Sequence, residues 1–380
     1  MAGELQILDD KMEQEFLSLE APLAFIDFEA IMNTDYLIPG TMATDTIPCQ
    51  WSCHILNQHG LNWEGNLEHY EFLWTGDVGW SPIYAFVQSL YDATYDAATI
   101  LIYTGYEIRC LTTCKQLALN DLNALETGQI SPSYVVVDCN NHKVPLTAEL
   151  VDDIIAMCDS MLDRFYDMCE KLSNKEDGTG VLRWLQSSEF KGSHSIKKLL
   201  PAAMAEYSRT EELLLYEGLP ANGYAGLGGI HNGEQCTKAY GAALNRPPRE
   251  GVAVWEDGNA PFDPDIEAQC LIYCRLDTLA MVIVYMAVLE ATETWREEAE
   301  STIAEYARIG DDYLFHAIDL DADNQVFYTT CDTRWEYPYS YDTELEWMYD
   351  SEIANMPIEE MYTHICPECR RRRNMAARTR

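Results

Sequence analysis

The apolar run Leu23-Ala24-Phe25-Ile26 passes without a break into Asp27-Phe28-Glu29, and this junction constrains the fold more than any other stretch of the chain. Phe and Ile with no helical period predict a buried β-strand. Strand side chains alternate faces, so Asp27 and Glu29 point the same way, about 7 Å apart at roughly 3.3 Å per residue. Two carboxylates on one face at the end of a core strand repel each other and lose hydration unless a cation compensates them. Hard oxygen ligands of this kind suit Mg²⁺ or Mn²⁺. Taken alone, the pair also reads as two solvated acids at a strand end.

Two further segments supply acids at similar junctions. Gln269 to Met281 opens a long apolar helical pattern that reaches about Leu289. In it, Tyr273 and Asp277 are four apart and stack on one helix face. A phenol beside a carboxylate is suited to orienting or deprotonating a water. Thr99-Ile100-Leu101-Ile102-Tyr103 predicts a β-branched strand, and Thr104-Gly105-Tyr106-Glu107 follows it. Glu107 would then stand at the mouth of that strand, where open α/β sheets place their sites.

These residues resemble the DEDDy 3′→5′ exonucleases of the RNase H-like superfamily. The shared pattern is Asp-x-Glu on a first strand, an acid after an aromatic at a later strand end, and Tyr-x-x-x-Asp on a late helix. A narrower resemblance is to an uncharacterised family of RNase H-like domains in bacteria and archaea, often fused to RecB-type nuclease domains. Its marks stand here as Phe25 to Glu29, Ile47 to His54, Phe190 to Pro201 and Tyr273 to Met281, in order, over roughly residues 22 to 292. The resemblance implies an RNase H-like mixed β-sheet flanked by helices and a two-metal phosphodiesterase. Asp27, Glu29, Glu107 and Asp277 would hold two Mg²⁺ or Mn²⁺ ions, and Tyr273 would position the nucleophilic water. The wider superfamily has Asp where Glu107 stands. Asp163, in Met161-Leu162-Asp163-Arg164, is the fallback for that position, and its reading as a structural helix acid is the stronger one.

The segment Lys191-Gly192-Ser193-His194-Ser195-Ile196-Lys197-Lys198 concentrates three lysines in a chain with only 25 Lys plus Arg. A helix starting near Ser195 would aim its positive end at an anion. Lys191, Ser193, Lys197 and Lys198 are therefore candidates for contact with a nucleic-acid backbone, the alternative being a solvated turn and helix start. His194 reads as a local hydrogen-bonding group.

Charge and composition set the context. Asp plus Glu number 63, for a net charge of −38, a field that opposes approach to a polyanion. Three readings stay open: adaptation to a salt-loaded cytoplasm, where screening shortens to about 3 Å in molar salt; recruitment of a basic protein partner; and mimicry of nucleic acid. Thirteen cysteines without a scaffold spacing are expected to be reduced thiols in a cytoplasm, and the polar Met1–Glu20 is not expected to act as a secretory signal. No apolar stretch is expected to reach the ~18 residues that cross a bilayer.

The remaining motifs are weaker. His364-Ile365-Cys366-Pro367-Glu368-Cys369 offers half a zinc site with no second Cys-x-x-Cys, so zinc at Cys366 and Cys369 is not expected. Six arginines between 370 and 380 form a basic tail. Asp319 to Asn324 starts like a calcium loop but lacks its Gly and Glu, and is expected to connect two strands. Gly223 to Gly229 lacks the Walker pattern and is expected to be a loop near the site entrance.

The expected organisation is α/β: an N-terminal arm over 1–20, an RNase H-like domain over 21–292 with a loop-rich insertion at about 202–262, and an acidic, aromatic appendage over 293–380. Strands are expected at 22–29, 47–57, 67–74 and 99–104, and helices at 107–119, 149–171 and 264–292. The function expected is metal-dependent 3′→5′ exonuclease action on single-stranded DNA or RNA in the cytoplasm, away from membranes. The alternative is a non-catalytic acidic interaction protein, either a nucleic-acid mimic or a decayed nuclease.

Overall fold

A computed structural model of the chain describes residues 6–7, 11–32, 41–42, 45–75, 81–131, 134–140, 142–172, 185–187, 193, 195–244, 262–306, 314–319 and 326–331. The chain divides into two compact units, one made mainly of residues 11–290 and the other mainly of 291–380. In chain order the elements begin with β1 (Gln6–Ile7), α1 (Lys11–Leu17), β2 (Leu23–Met32), β3 (Thr46–Leu56), β4 (Leu67–Leu73), α2 (Ile83–Ala93), β5 (Thr99–Ile102) and α3 (Tyr106–Glu126). There follow β6 (Val135–Val137), β7 (Lys143–Pro145), α4 (Ala148–Leu162), β8 (Phe165–Asp167), α5 (Met168–Leu172), β9 (Leu185–Gln186), α6 (Ile196–Glu206) and α7 (Thr210–Tyr216). After a 3₁₀ turn at Gly223–Gly226 come α8 (Gly233–Leu244), α9 (Pro264–Tyr306), β10 (Leu314–Asp319) and β11 (Val326–Cys331).

The first unit is mixed α/β, built on a five-stranded sheet in the order β4-β3-β2-β5-β8. β2 and β4 run antiparallel to β3, whereas β2 with β5 and β5 with β8 are parallel. β5 is apolar along its length, with Ile100, Leu101 and Ile102 fully buried, as a strand covered on both faces requires.

The alternation along β3 shows what covers each face. Gln50 donates from Nε2 to the Cys270 carbonyl at 2.7 Å, and Ser52 lies 2.9 Å from the Thr278 hydroxyl, so these residues face α9. Trp51, between them, donates from Nε1 to Ser89 of α2 at 3.0 Å. Directly opposed residues of an antiparallel pair share a face. Asp27 pairs with Ser52 and Glu29 with Gln50, which turns both acids toward α9. Phe28, between them, meets Phe86 of α2 with ring centroids 5.0 Å apart.

α9 is the core helix. From Leu276 to Leu289 its residues are buried on every side, as expected of a helix that is apolar all round. Pro264–Thr294 is long and apolar enough to span a bilayer by length and composition, which corrects the expectation that no such stretch exists. It packs inside the protein instead, with 83% of its most apolar part buried. Phe16 of α1 and Phe25 of β2 meet its Tyr285 ring at 5.2 and 5.9 Å.

Several expectations need correcting. The single helix expected over 149–171 is α4, then β8, then α5, because the chain re-enters the sheet at Phe165. The loop-rich reading of 202–262 gives way, over the described residues, to the end of α6 and to α7 and α8, whose buried Leu213, Leu214, Cys236 and Tyr240 anchor them. α2 was not anticipated at all. In the second unit β10 pairs antiparallel with β11, Asp319 opposite Val326, so the acidic run that starts at Asp319 begins at the end of a strand. Cys366, Cys369, the aromatic run from Trp335 to Tyr349 and the arginine tail lie outside the described residues.

Candidate metal centre

Each acid reaches the centre by a local route. Asp27 and Glu29 leave the α9-facing side of β2, just before a register shift between Glu29 and Ala30. Glu107 is the second residue of α3, whose N-terminus follows β5, where the helix end favours a carboxylate. Asp277 comes from the N-terminal third of α9, one turn after Tyr273.

These routes converge. Carboxylate oxygens of Asp27, Glu29 and Asp277 lie within 4.8 Å of one another. Glu29, Asp277 and Glu107 are 9%, 7% and 3% exposed, so the charges have little water to share. Burial, foremost, and then the charges of Asp277, Glu107 and Glu29 push the Asp27 carboxyl well above the usual carboxylate range. Burial and then Asp277 push Glu29 up to about 8, with Lys197 opposing. Burial likewise pushes Glu107 up to about 8, against main-chain N–H groups of Glu107 and Phe28 that favour its anion. Asp167, at the end of β8, adds its charge to the same pocket.

Asp277 is raised by burial but held back by Lys197, Tyr224 and Tyr273. The Tyr224 hydroxyl donates to its carboxylate, and the Tyr273 phenol, one helical turn away, favours its anion. Tyr273 in turn accepts from Lys197 Nζ at 2.5 Å. A Cβ at Gly233, the first residue of α8, would stand 3.3 Å from both Glu29 oxygens, close enough that the carboxylate would have to give way by a few tenths of an ångström. The Cys274 thiol, pushed up by burial and Asp27, lies 3.6 Å from Asp27 Oδ2.

The donor set fits a hard divalent cation. It is built from carboxylate oxygens, and Glu107 Oε2 is buried with no hydrogen-bond partner among the described residues. A buried oxygen without a partner, beside like charges, is costly unless something positive meets it.

Behind Asp277 a polar network fixes the helix. The Thr278 hydroxyl meets Ser52 at 2.9 Å and His54 Nδ1 at 2.8 Å, and Ser52 meets His69 Nε2 at 3.0 Å. Burial holds both histidines below the usual imidazole range. Arg275 pairs with Glu71 of β4 at 2.7 Å and donates to the Glu217 carbonyl at 3.1 Å.

Of the residues expected here, Asp27, Glu29, Glu107, Tyr273, Asp277 and Lys197 come together. Ser193 accepts from the Ser195 N–H at 3.3 Å, and Lys198 is exposed on α6. Lys191 and His194 lie outside the described residues. Asp163 is exposed where α4 ends, so the fallback acid is not part of the pocket. Tyr224, Asp167 and Gly233 were missed. The Gly-rich stretch expected near the entrance does contribute Tyr224, but no periodicity marks that residue.

Residues 24–195 match a family described as a domain of unknown function (DUF2779). No curated protein and no solved structure matches the chain. The matched segment contains Asp27, Glu29 and Glu107, whereas Tyr273 and Asp277 lie beyond it.

Proposed function

We propose that this chain is a divalent-metal-dependent 3′→5′ exonuclease of DEDDy type with an RNase H-like domain, acting on single-stranded DNA or RNA. The observation that carries the reading is the meeting of Asp27, Glu29 and Asp277 within 4.8 Å, with Tyr273 one helical turn before Asp277 and Glu107 Oε2 buried without a hydrogen-bond partner among the described residues. The 3′ polarity and the exonuclease mode rest on the resemblance.

Asp27, Glu29, Glu107 and Asp277 would hold Mg²⁺ or Mn²⁺, which would supply Lewis-acid activation of water and neutralise charge on the scissile phosphate. The protein's own groups shape that step. Tyr224 fixes the Asp277 carboxylate by a hydrogen bond, and Tyr273 and Lys197 favour its anion. The Tyr273 hydroxyl, with burial and the neighbouring carboxylates keeping it protonated, is placed to orient a water. Burial of the acids keeps bulk solvent away, which strengthens each electrostatic contact.

The charge of −38 suits a protein working in concentrated salt, where an acidic surface repels substrate only at short range. Free thiols such as the buried Cys49, Cys53, Cys114 and Cys158 suit a reducing cytoplasm. The test is digestion of 3′- and 5′-end-labelled oligonucleotides with Mn²⁺ in high salt. An exonuclease gives ladders that vanish in Asp27→Ala. A nucleic-acid mimic or a decayed nuclease gives no products in either protein.

A further inference from the structure

Lys197 is the second residue of α6, and its ammonium reaches into the carboxylate pocket. It donates to the Tyr273 hydroxyl at 2.5 Å. It also lies 4.7 Å from the Tyr273 ring centroid and 5.4 Å from that of Tyr224. The Tyr224 hydroxyl donates to Asp277, and Tyr273 lies one helical turn before Asp277 and favours its anion. Two phenol faces and one hydrogen bond thus hold a cation beside the acids. Its charge acts on both Glu29 and Asp277, opposing the effect of their burial.

We propose that Lys197 is a resident counter-cation of this site: it balances Glu29 and Asp277, competes with an incoming divalent ion for the same negative charge, and once displaced binds a phosphodiester oxygen. The metal half of this inference rests on the carboxylate cluster alone, and the phosphate half rests on the hydrolase reading above. Lysine suits the role because its ammonium is a compact point charge on a flexible four-carbon stem. The stem leaves α6 at its first turn, beside the exposed Lys198. Ion uptake and phosphate grip are then coupled: without ions the phosphate-binding group stays engaged internally, and with ions it is released.

The test is calorimetric titration of the full chain with Mn²⁺, without nucleic acid, at pH 8.5 under argon. Lys197→Gln keeps a donor and removes the charge, whereas Lys197→Arg keeps the charge. Lys197→Gln is expected to bind Mn²⁺ about tenfold more tightly, from loss of like-charge repulsion, and Lys197→Arg to stay near wild type. Unchanged or weaker Mn²⁺ affinity in Lys197→Gln overturns the counter-cation role. Lys197→Met, whose apolar stem keeps the packing between the rings, carries the same criterion if the amide disturbs folding. In a second arm, binding of a single-stranded oligonucleotide is followed as Ca²⁺ is raised. Wild type is expected to gain affinity and Lys197→Gln to lose most of that gain, and an undiminished gain overturns the phosphate role. Neither arm reads turnover, so Mn²⁺ uptake by a wild-type protein that hydrolyses nothing would count against the hydrolase reading alone.

Discussion

The Tyr224 hydroxyl donates to the Asp277 carboxylate across 53 positions of sequence, so a short 3₁₀ turn helps hold an acid of the core helix. Tyr224→Phe removes the donor and keeps the ring. A hydrogen bond to a charged group is worth about 1.5–3 kcal/mol, and losing it should lower Mn²⁺-dependent oligonucleotide hydrolysis by about tenfold or more with little change in melting temperature. Activity equal to wild type would remove Tyr224 from the site.

Glu29 and Glu107 are each pushed from an ordinary value of 4.5 up to about 8. Between those values the folded chain keeps protons that the unfolded chain has released. Their contribution to stability is therefore fully present below about 4.5 and is lost as pH rises through about 8. In EDTA, melting temperature should fall from pH 5.5 to pH 8.5, and the fall should shrink in the Glu29→Gln, Glu107→Gln double variant. Mn²⁺ should raise the melting temperature more at pH 8.5 than at pH 5.5, because ligand carboxylates must be deprotonated to bind. A fall of equal size in the double variant would contradict this assignment.

Much of the centre was legible because its acids sit where local pattern is strongest. The apolar run before Asp27 identified a strand, and period two then put Glu29 on the same face, as the pairing with Ser52 and Gln50 bears out. Helical spacing put Tyr273 beside Asp277, and the phenol favours the Asp277 anion. Tyr224 and Gly233 were hidden because their roles arise from long-range approach, with nothing in the neighbouring residues to mark them. Asp167 was hidden because β8 has only three residues, too few for any alternation. The helices within 202–262 were read as loop because that segment is rich in Gly, Pro and Asn, while α7 and α8 are short and held by tertiary packing.

Gly233→Ala tests the close approach of α8 to Glu29. The added methyl would meet both carboxylate oxygens at 3.3 Å, closer than ordinary contact, so the carboxylate must shift. Folding should survive, since alanine favours a helix over glycine by roughly 1 kcal/mol. Mn²⁺ affinity, read by calorimetry, should drop several-fold. An affinity equal to wild type would show that Glu29 does not need this placement.

Thr278→Val keeps the shape of a fully buried side chain and deletes the hydroxyl shared by Ser52 and His54. Buried partners left unsatisfied cost about 1–3 kcal/mol, so urea denaturation should show a loss of that size. Asp277 is the adjacent residue, and hydrolysis should fall along with stability as α9 loosens against β3. A neutral variant would show that the network contributes nothing to docking the helix.

The central claim is that Asp27, Glu29, Glu107 and Asp277 form one divalent-metal centre, and anomalous diffraction from crystals soaked in Mn²⁺ tests it most directly. The account predicts strong peaks within coordination distance of Asp27, Glu29 and Asp277, with Glu107 Oε2 turned toward bound metal, and their loss in Asp277→Asn. Anomalous density confined to other carboxylates, with the pocket empty at saturating Mn²⁺, would contradict it.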